Sequence, residues 1–243
     1  MTAVVVADDE RGRERAIETL RAGGVVALPT DTVYGLAVAL DPSVAPDASV
    51  APDADAGIER LFLAKRRSPD KGIVLLLADA PQMDRVALVT PAAAALTEAC
   101  WPGALTVILT QRPDVAFPAA LTGGRATIGL RVADHPAPRA LAAVLGPLPT
   151  TSANLSGFPD ALDAATVVAQ LGDAIDLVLD GGPVEGGTPS TVVDCSGERP
   201  RLLRAGAIAT ERLAAILDGA GVRHDLASVR GKMTDAQQGV GDP

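Results

Sequence analysis

Val25-Val26-Ala27-Leu28-Pro29-Thr30-Asp31-Thr32-Val33-Tyr34-Gly35-Leu36 is the stretch that decides the architecture. Four aliphatic residues bounded by Gly23-Gly24 and Pro29 read as a short buried strand. Pro29 has no amide hydrogen, so the ladder is expected to stop there and the polar groups after it to face outward. Two threonines, an aspartate and the chain's one tyrosine then crowd the strand's end. Strand ends of this kind are where α/β proteins gather ligands. A self-satisfied hydroxyl turn accounts equally well for this segment taken alone.

Working outward, short aliphatic runs alternate with Ala-rich helical stretches. Strands are expected at 3–6, 25–28, 73–78, 105–109, 126–132, 177–179, 190–194 and 201–204. Helices are expected at 10–22, 57–67, 91–100, 137–145, 164–171 and 211–217. Several connections are too short to hold a crossover helix, which favours a mixed sheet. The core has to be aliphatic, because 48% of the 243 residues are hydrophobic and only 2% aromatic. One domain over about 10–220 is expected. Ser43–Ala48 repeats letter for letter as Ser49–Ala54, so 41–56 reads as a solvated Pro/Ala/Asp-rich insertion. Residues 221–243 read as a frayed tail.

A net charge of -9 argues against a general nucleic-acid binder and requires any anion to be held by a local cluster of cations. No apolar stretch approaches a membrane span, and a cytoplasmic protein is expected. Cys100 and Cys195 match no metal or redox spacing and read as buried. Phosphate-loop, dinucleotide, zinc-protease and serine-hydrolase signatures are all absent. His135 reads as a cap or turn residue.

What remains is cations and hydroxyls at strand ends. Lys65, Arg66, Arg67 and Lys71 cluster at a helix end, where dipole complementation alone would account for them. Arg131 stands apart. In Thr127–Arg131 the alternation puts Thr127, Gly129 and Arg131 on one face, and a guanidinium beside a core needs an anion or a carboxylate. Thr150, Thr151, Ser152, Asn154 and Ser156 form one hydroxyl- and amide-rich segment, Ser190-Thr191 another, and Arg204 ends a strand. Together these make the inventory of an anion-binding cleft.

Pro29–Leu36 (PTDTVYGL), Lys65-Arg66-Arg67 (Lys-x-Arg), Thr127–Arg131 (TIGLR), Ser152–Gly157 (SANLSG), Ser190–Asp194 (STVVD) and Leu203–Ile208 (LRAGAI), in this order, resemble the YrdC/Sua5 family of threonylcarbamoyl-AMP synthases. The resemblance runs from about residue 12 to about 217, as in the short, single-domain form. It implies an α/β fold, with an open twisted mixed sheet, flanking helices and a concave positively charged cavity. It also implies that L-threonine, bicarbonate and ATP, with Mg2+, yield threonylcarbamoyl-AMP and pyrophosphate. The product passes to the tRNA threonylcarbamoyl transferase machinery for N6-threonylcarbamoyladenosine at position 37 of tRNA, with weak or no direct tRNA binding. By motif, Lys65 and Arg67 match the catalytic cations that hold ATP phosphates, with Ser152 and Asn154, while Thr127 and Arg204 match other nucleotide contacts. Thr32, Arg131, Thr150 and Ser190 match the threonine site, Arg131 facing the carboxylate. Many members have Asn-Pro-Leu where this chain has Lys71-Gly72-Ile73. The competing expectation is an RNA-binding or ribosome-associated module without adenylate chemistry.

Overall fold

The computed structural model describes residues 3–40, 54–66 and 73–226. Of the expected features, 41–53 of the insertion, Arg67, Lys71 and 227–243 of the tail lie outside the described residues.

Ten strands form one mixed sheet among the described residues: β1 (Val4–Ala7), β2 (Val26–Leu28), β3 (Gly35–Ala37), β4 (Val74–Leu76), β5 (Leu105–Thr110), β6 (Thr127–Arg131), β7 (Leu148–Ser152), β8 (Leu177–Asp180), β9 (Thr191–Asp194) and β10 (Arg201–Arg204). They lie in the order β1-β8-β2-β3-β7-β4-β6-β5-β9-β10. The helices are α1 (Glu10–Arg21), α2 (Ala54–Lys65), α3 (Met83–Val86), α4 (Pro91–Cys100), α5 (Ala119–Thr122), α6 (Pro136–Leu145), α7 (Ala164–Leu171) and α8 (Thr210–Gly219).

Local chemistry sets several ends. Asp9, Thr90 and Asp163 cap α1, α4 and α7 through their side-chain oxygens, and His135 Nδ1 accepts from Ala137 N–H at the start of α6. The expected capping role of His135 is therefore what the fold uses. β2 ends at Leu28, immediately before Pro29. The chain then turns through 29–34 and returns antiparallel as β3, with Leu28 opposite Gly35.

The largest departure from the expectation is β7. No strand was expected between the helices at 137–145 and 164–171, yet Leu148–Ser152 is a central strand paired with β3 on one side and β4 on the other. Tertiary pairing overrides the local proline signal here, and the Pro149 carbonyl still accepts from Val38 N–H. α2 begins at Ala54, so residues 54–56, expected in the insertion, are helical. The expected fraying from 221 does not hold for 221–226: Asp225 bridges Arg201 and Leu226 is 1% exposed in the core.

The two faces of the sheet are covered unequally, and this positions the site. One face packs against α2, α4, α7 and α8 through residues such as Leu61, Leu96, Val167 and Leu213. The other packs against α1 and α6 through Leu20 and Leu141. Those two helices cover strand residues of β1, β2, β3, β4, β7 and β8. The matching face of β5, β6, β9 and β10 carries no helix in that cluster and presents Thr106, Ile108, Gly129, Arg131 and Val192. Both cysteines are buried and unbonded.

Tyr34 pins the loop 29–34 to the segment after β8. Its side chain is fully buried; its hydroxyl donates to the Gly182 carbonyl at 2.8 Å and accepts from Gly181 N–H at 3.3 Å, near Asp180. Burial, reinforced by the Asp180 charge against the opposing pull of the Gly181 amide, pushes its hydroxyl up to about 12. The unfolded chain loses this proton near pH 10, so Tyr34 leaves stability intact below that pH. Between about pH 10 and 12 its contribution falls by about 1.4 kcal/mol per pH unit. Tyr34 is the single tyrosine. Tyrosinate absorbance should therefore titrate with a midpoint near 12 in the native protein and near 10 in urea. A native midpoint near 10 would show the hydroxyl to be solvated.

Candidate active site

A cavity of about 220 Å³ opens on the α1/α6 face of the sheet, where the covered strands β3, β4 and β7 meet the uncovered β5 and β6. Thr32, Arg131, Thr150, Ser152, Ser190 and Arg204, all singled out from the sequence, line it.

Arg131 is the centre of this arrangement. Only 6% exposed, it donates from Nε to the Gly103 carbonyl at 3.0 Å, from Nη1 to Thr32 Oγ1 at 2.9 Å and from Nη2 to Asp31 Oδ1 at 2.6 Å. Burial pulls this guanidinium below the ordinary arginine value and Asp31 pulls it back up. It stays charged at any working pH. A guanidinium has five N–H groups. Among the described residues three are engaged, leaving one on each terminal nitrogen. The loop that supplies Thr32 and Asp31 is stiffened by Thr30, whose hydroxyl donates to the Val33 carbonyl at 2.6 Å and accepts from the amides of Thr32 and Val33.

Ser190, 5% exposed, sits opposite. Its hydroxyl is 2.8 Å from that of Thr106, and Arg204 Nη2 donates to its carbonyl at 2.8 Å and its Oγ at 3.1 Å. A register shift between Leu202 and Arg204 aims this arginine: Leu202 pairs with Val193, but Arg204 pairs with Val192. Without the extra residue, Arg204 would point into the helix-covered core; the bulge turns it to the face shared by Val192 and Thr106. Gly206 makes the return possible, since a Cβ there would lie 2.4 Å from the Pro189 carbonyl oxygen. Arg204 is exposed as a residue, yet its guanidinium packs against the Ser190 main chain. That desolvation pulls it below the ordinary value, with Asp160 drawing it up and Arg131 pushing it down. The two guanidinium groups thus repel each other across the cavity.

Three expected ligand residues lie elsewhere. Lys65 is 1% exposed, and its Nζ donates to the carbonyls of Ser152 and Asn154 and, at 2.9 Å, to Asn154 Oδ1. Asn154 Oδ1 also accepts from Ser152 Oγ at 2.6 Å, and its Nδ2 donates to the Phe158 carbonyl at 2.7 Å. Neither lines the cavity: both hold the 152–158 loop in shape, because a buried ammonium takes the nearest carbonyl cage. Thr127 shares a face with Arg131 but lies at the other end of β6, about 13 Å away at ordinary strand rise.

Two polar cavity residues were not anticipated. Thr106 is one of two threonines in the otherwise aliphatic β5; only the β5–β6 register places it beside Arg131. Asp160 lines the cavity from a loop that carries no periodic signal. No group of three or more His, Cys, Asp or Glu that could hold a metal occurs among the described residues. No described helix is long and apolar enough to cross a membrane.

Replacing Lys65 by methionine keeps the stem and removes the charge. Stranding several buried acceptors at ~1–3 kcal/mol each should lower stability by roughly 3 kcal/mol or more in urea unfolding. An unchanged midpoint would show that the ammonium does not hold the loop.

A model of the Sua5/YciO/YrdC family, described as "Telomere recombination", matches residues 18–206. The threonylcarbamoyl-AMP synthase of Vibrio vulnificus is 36% identical over 197 residues, covering 79% of this chain and 97% of that protein. The threonylcarbamoyl-AMP synthase of Bacillus subtilis is 37% identical over 205 residues, covering 84% of this chain and 56% of that one. The crystal structure of P. abyssi Sua5 complexed with L-threonine superposes with a TM-score of 0.79 at 29% identity, over 96% of this chain and 64% of that one. The chain thus spans little more than half of the Bacillus protein and under two thirds of the Pyrococcus one, but nearly the whole of the Vibrio enzyme. On the match of the family model and the identity to these relatives, the chain belongs to the Sua5/YciO/YrdC family.

Proposed function

We propose that the chain is an L-threonylcarbamoyladenylate synthase, a nucleotidyltransferase that makes threonylcarbamoyl-AMP and pyrophosphate from L-threonine, bicarbonate and Mg-ATP. The observation that carries this reading is Arg131: a buried guanidinium with two N–H groups uncommitted, walled by the hydroxyls of Thr32, Thr150 and Ser190. Paired N–H groups suit a carboxylate. The names of the Vibrio and Bacillus relatives favour this reading over an RNA-binding module.

A cavity of about 220 Å³ is small against the ~300–1,000 Å³ of drug-sized pockets, and it suits an amino acid. The nucleotide then extends beyond it along the open sheet face, with Ser152 and Arg204 at the junction and Thr127 farther along β6. Arg67 is assigned to the phosphates by its motif alone. Lys65 and Asn154 act on the nucleotide through the loop that carries Ser152. Mg2+ arrives on the ATP phosphates.

The chemistry needs no protein nucleophile. Arg131 holds the threonine carboxylate and the hydroxyls orient its side chain and nitrogen. The amine adds to bicarbonate-derived carbon to give a carbamate. A carbamate oxygen then forms a bond to the α-phosphorus as the bond to the bridging oxygen breaks, and pyrophosphate leaves with that electron pair. Alignment of the two substrates can supply ~7–11 kcal/mol of such a barrier, and preorganised donors several more. Arg204 offsets charge that builds at the meeting point. The product goes on to a transferase that modifies tRNA, and tRNA itself binds weakly.

The purified protein, given L-threonine, bicarbonate, Mg-ATP and pyrophosphatase, should release phosphate only when both threonine and bicarbonate are present, and the adenylate should appear by mass spectrometry. Turnover without threonine dependence contradicts the reading. Arg131→Ala should lower kcat/KM for threonine by roughly 30-fold or more with a much smaller change in KM for ATP. Equal losses on both substrates would remove Arg131 from the carboxylate site.

A further inference from the structure

Asp160 presents a carboxylate to a cavity whose other charged walls are Arg131 and Arg204. Among the described residues it makes no hydrogen bond and no ion pair, and its charge is felt by Arg204. The other nearby carboxylate, Asp31, is committed to Arg131 at 2.6 Å. The hydroxyls are also engaged: Thr32 accepts from Arg131, and Thr106 and Ser190 face each other at 2.8 Å. An uncommitted acid in a two-arginine cavity calls for a ligand that brings its own cation. An anion alone would be better held without it.

We propose that Asp160 receives the α-ammonium of the amino-acid substrate, making the cavity selective for a zwitterion, and that it then helps discharge the nitrogen end toward the nucleotide. This rests on the reading of the cavity as the threonine site. Arg131 takes the carboxylate, and Asp160 takes the ammonium. The ammonium and bicarbonate give the carbamate, one water and one proton. The ammonium first gives one proton to solvent; the freed lone pair forms the N–C bond, and a C–O bond breaks with its oxygen leaving as water on taking a second N–H proton. The substrate's nitrogen end thereby changes from positive to negative. Asp160 attracts the first state and repels the second, and Arg204, in the same cavity, has the opposite preference. The pair therefore favours entry of the amino acid on one side and presentation of the carbamate to the nucleotide on the other.

The test is calorimetric titration of the full chain with L-threonine and with the analogue in which a hydroxyl replaces the ammonium. Asp160→Asn should weaken threonine binding by roughly tenfold to a hundredfold and leave the analogue's affinity unchanged. Asp160→Glu should recover most of the loss. A purely structural residue would shift both ligands together. Equal threonine affinity in wild type and D160N, or an equal loss for both ligands, overturns the proposal while leaving the synthase reading intact. A wild-type protein that binds no threonine overturns both.

Discussion

A single buried charge constrains this molecule more than any other feature. Arg131 ends a strand at 6% exposure, and removing an ion from water costs several kcal/mol unless its hydrogens are met. Two remote segments meet them. Gly103 follows the end of α4, while Thr32 and Asp31 come from the loop between β2 and β3. The helix terminus, the loop and the strand are therefore positioned by one planar group. Loss of Asp31 would leave the charge uncompensated, whereas a substrate carboxylate can join it on the two remaining N–H groups.

The sheet makes room for that carboxylate by what it leaves uncovered. Helices α1 and α6 seal one half of one face, and the other half is bare at β5, β6, β9 and β10. With no helix over it, that half leaves room for a cavity, and the strand alternation collects Thr106 and Arg131, both buried, at its wall. The bulge before Arg204 adds a second guanidinium that simple alternation would have buried among the helices. Two like charges facing one cavity are costly when it is empty and useful when a substrate carboxylate enters it. Tyr34, Lys65 and Gly186 fix the surrounding loops. A Cβ on Gly186 would lie 2.4 Å from the Asp31 carbonyl oxygen, so the glycine-rich segment can lie directly on the 29–34 loop.

Much of this was legible in the residues. Pro29 ended its strand as its missing amide requires, the alternation of Thr127–Arg131 predicted the face of Arg131, and α4, α7 and β10 fall on their expected bounds. The failures share a cause: non-local pairing. β7 was hidden by Pro149, a residue that local rules place outside central strands. Thr106 acquires meaning only from its register against β6. The aim of Arg204 depends on one inserted residue that leaves no mark in the hydrophobic pattern. Lys65 looked like a surface cation at a helix end, and its burial appears only when the 152–154 carbonyls arrive from 87 or more residues away. Asp160 sits in a loop, where no periodicity can report direction.

The central claim is that Arg131 receives the amino-acid carboxylate on the two N–H groups its protein partners leave open. A crystal structure of the full chain grown with L-threonine tests it most directly. The account predicts a substrate carboxylate about 2.7–2.9 Å from the Arg131 terminal nitrogens, with the Thr32 and Gly103 contacts retained. Threonine bound with its carboxylate away from Arg131, or excluded from this cavity altogether, would contradict it.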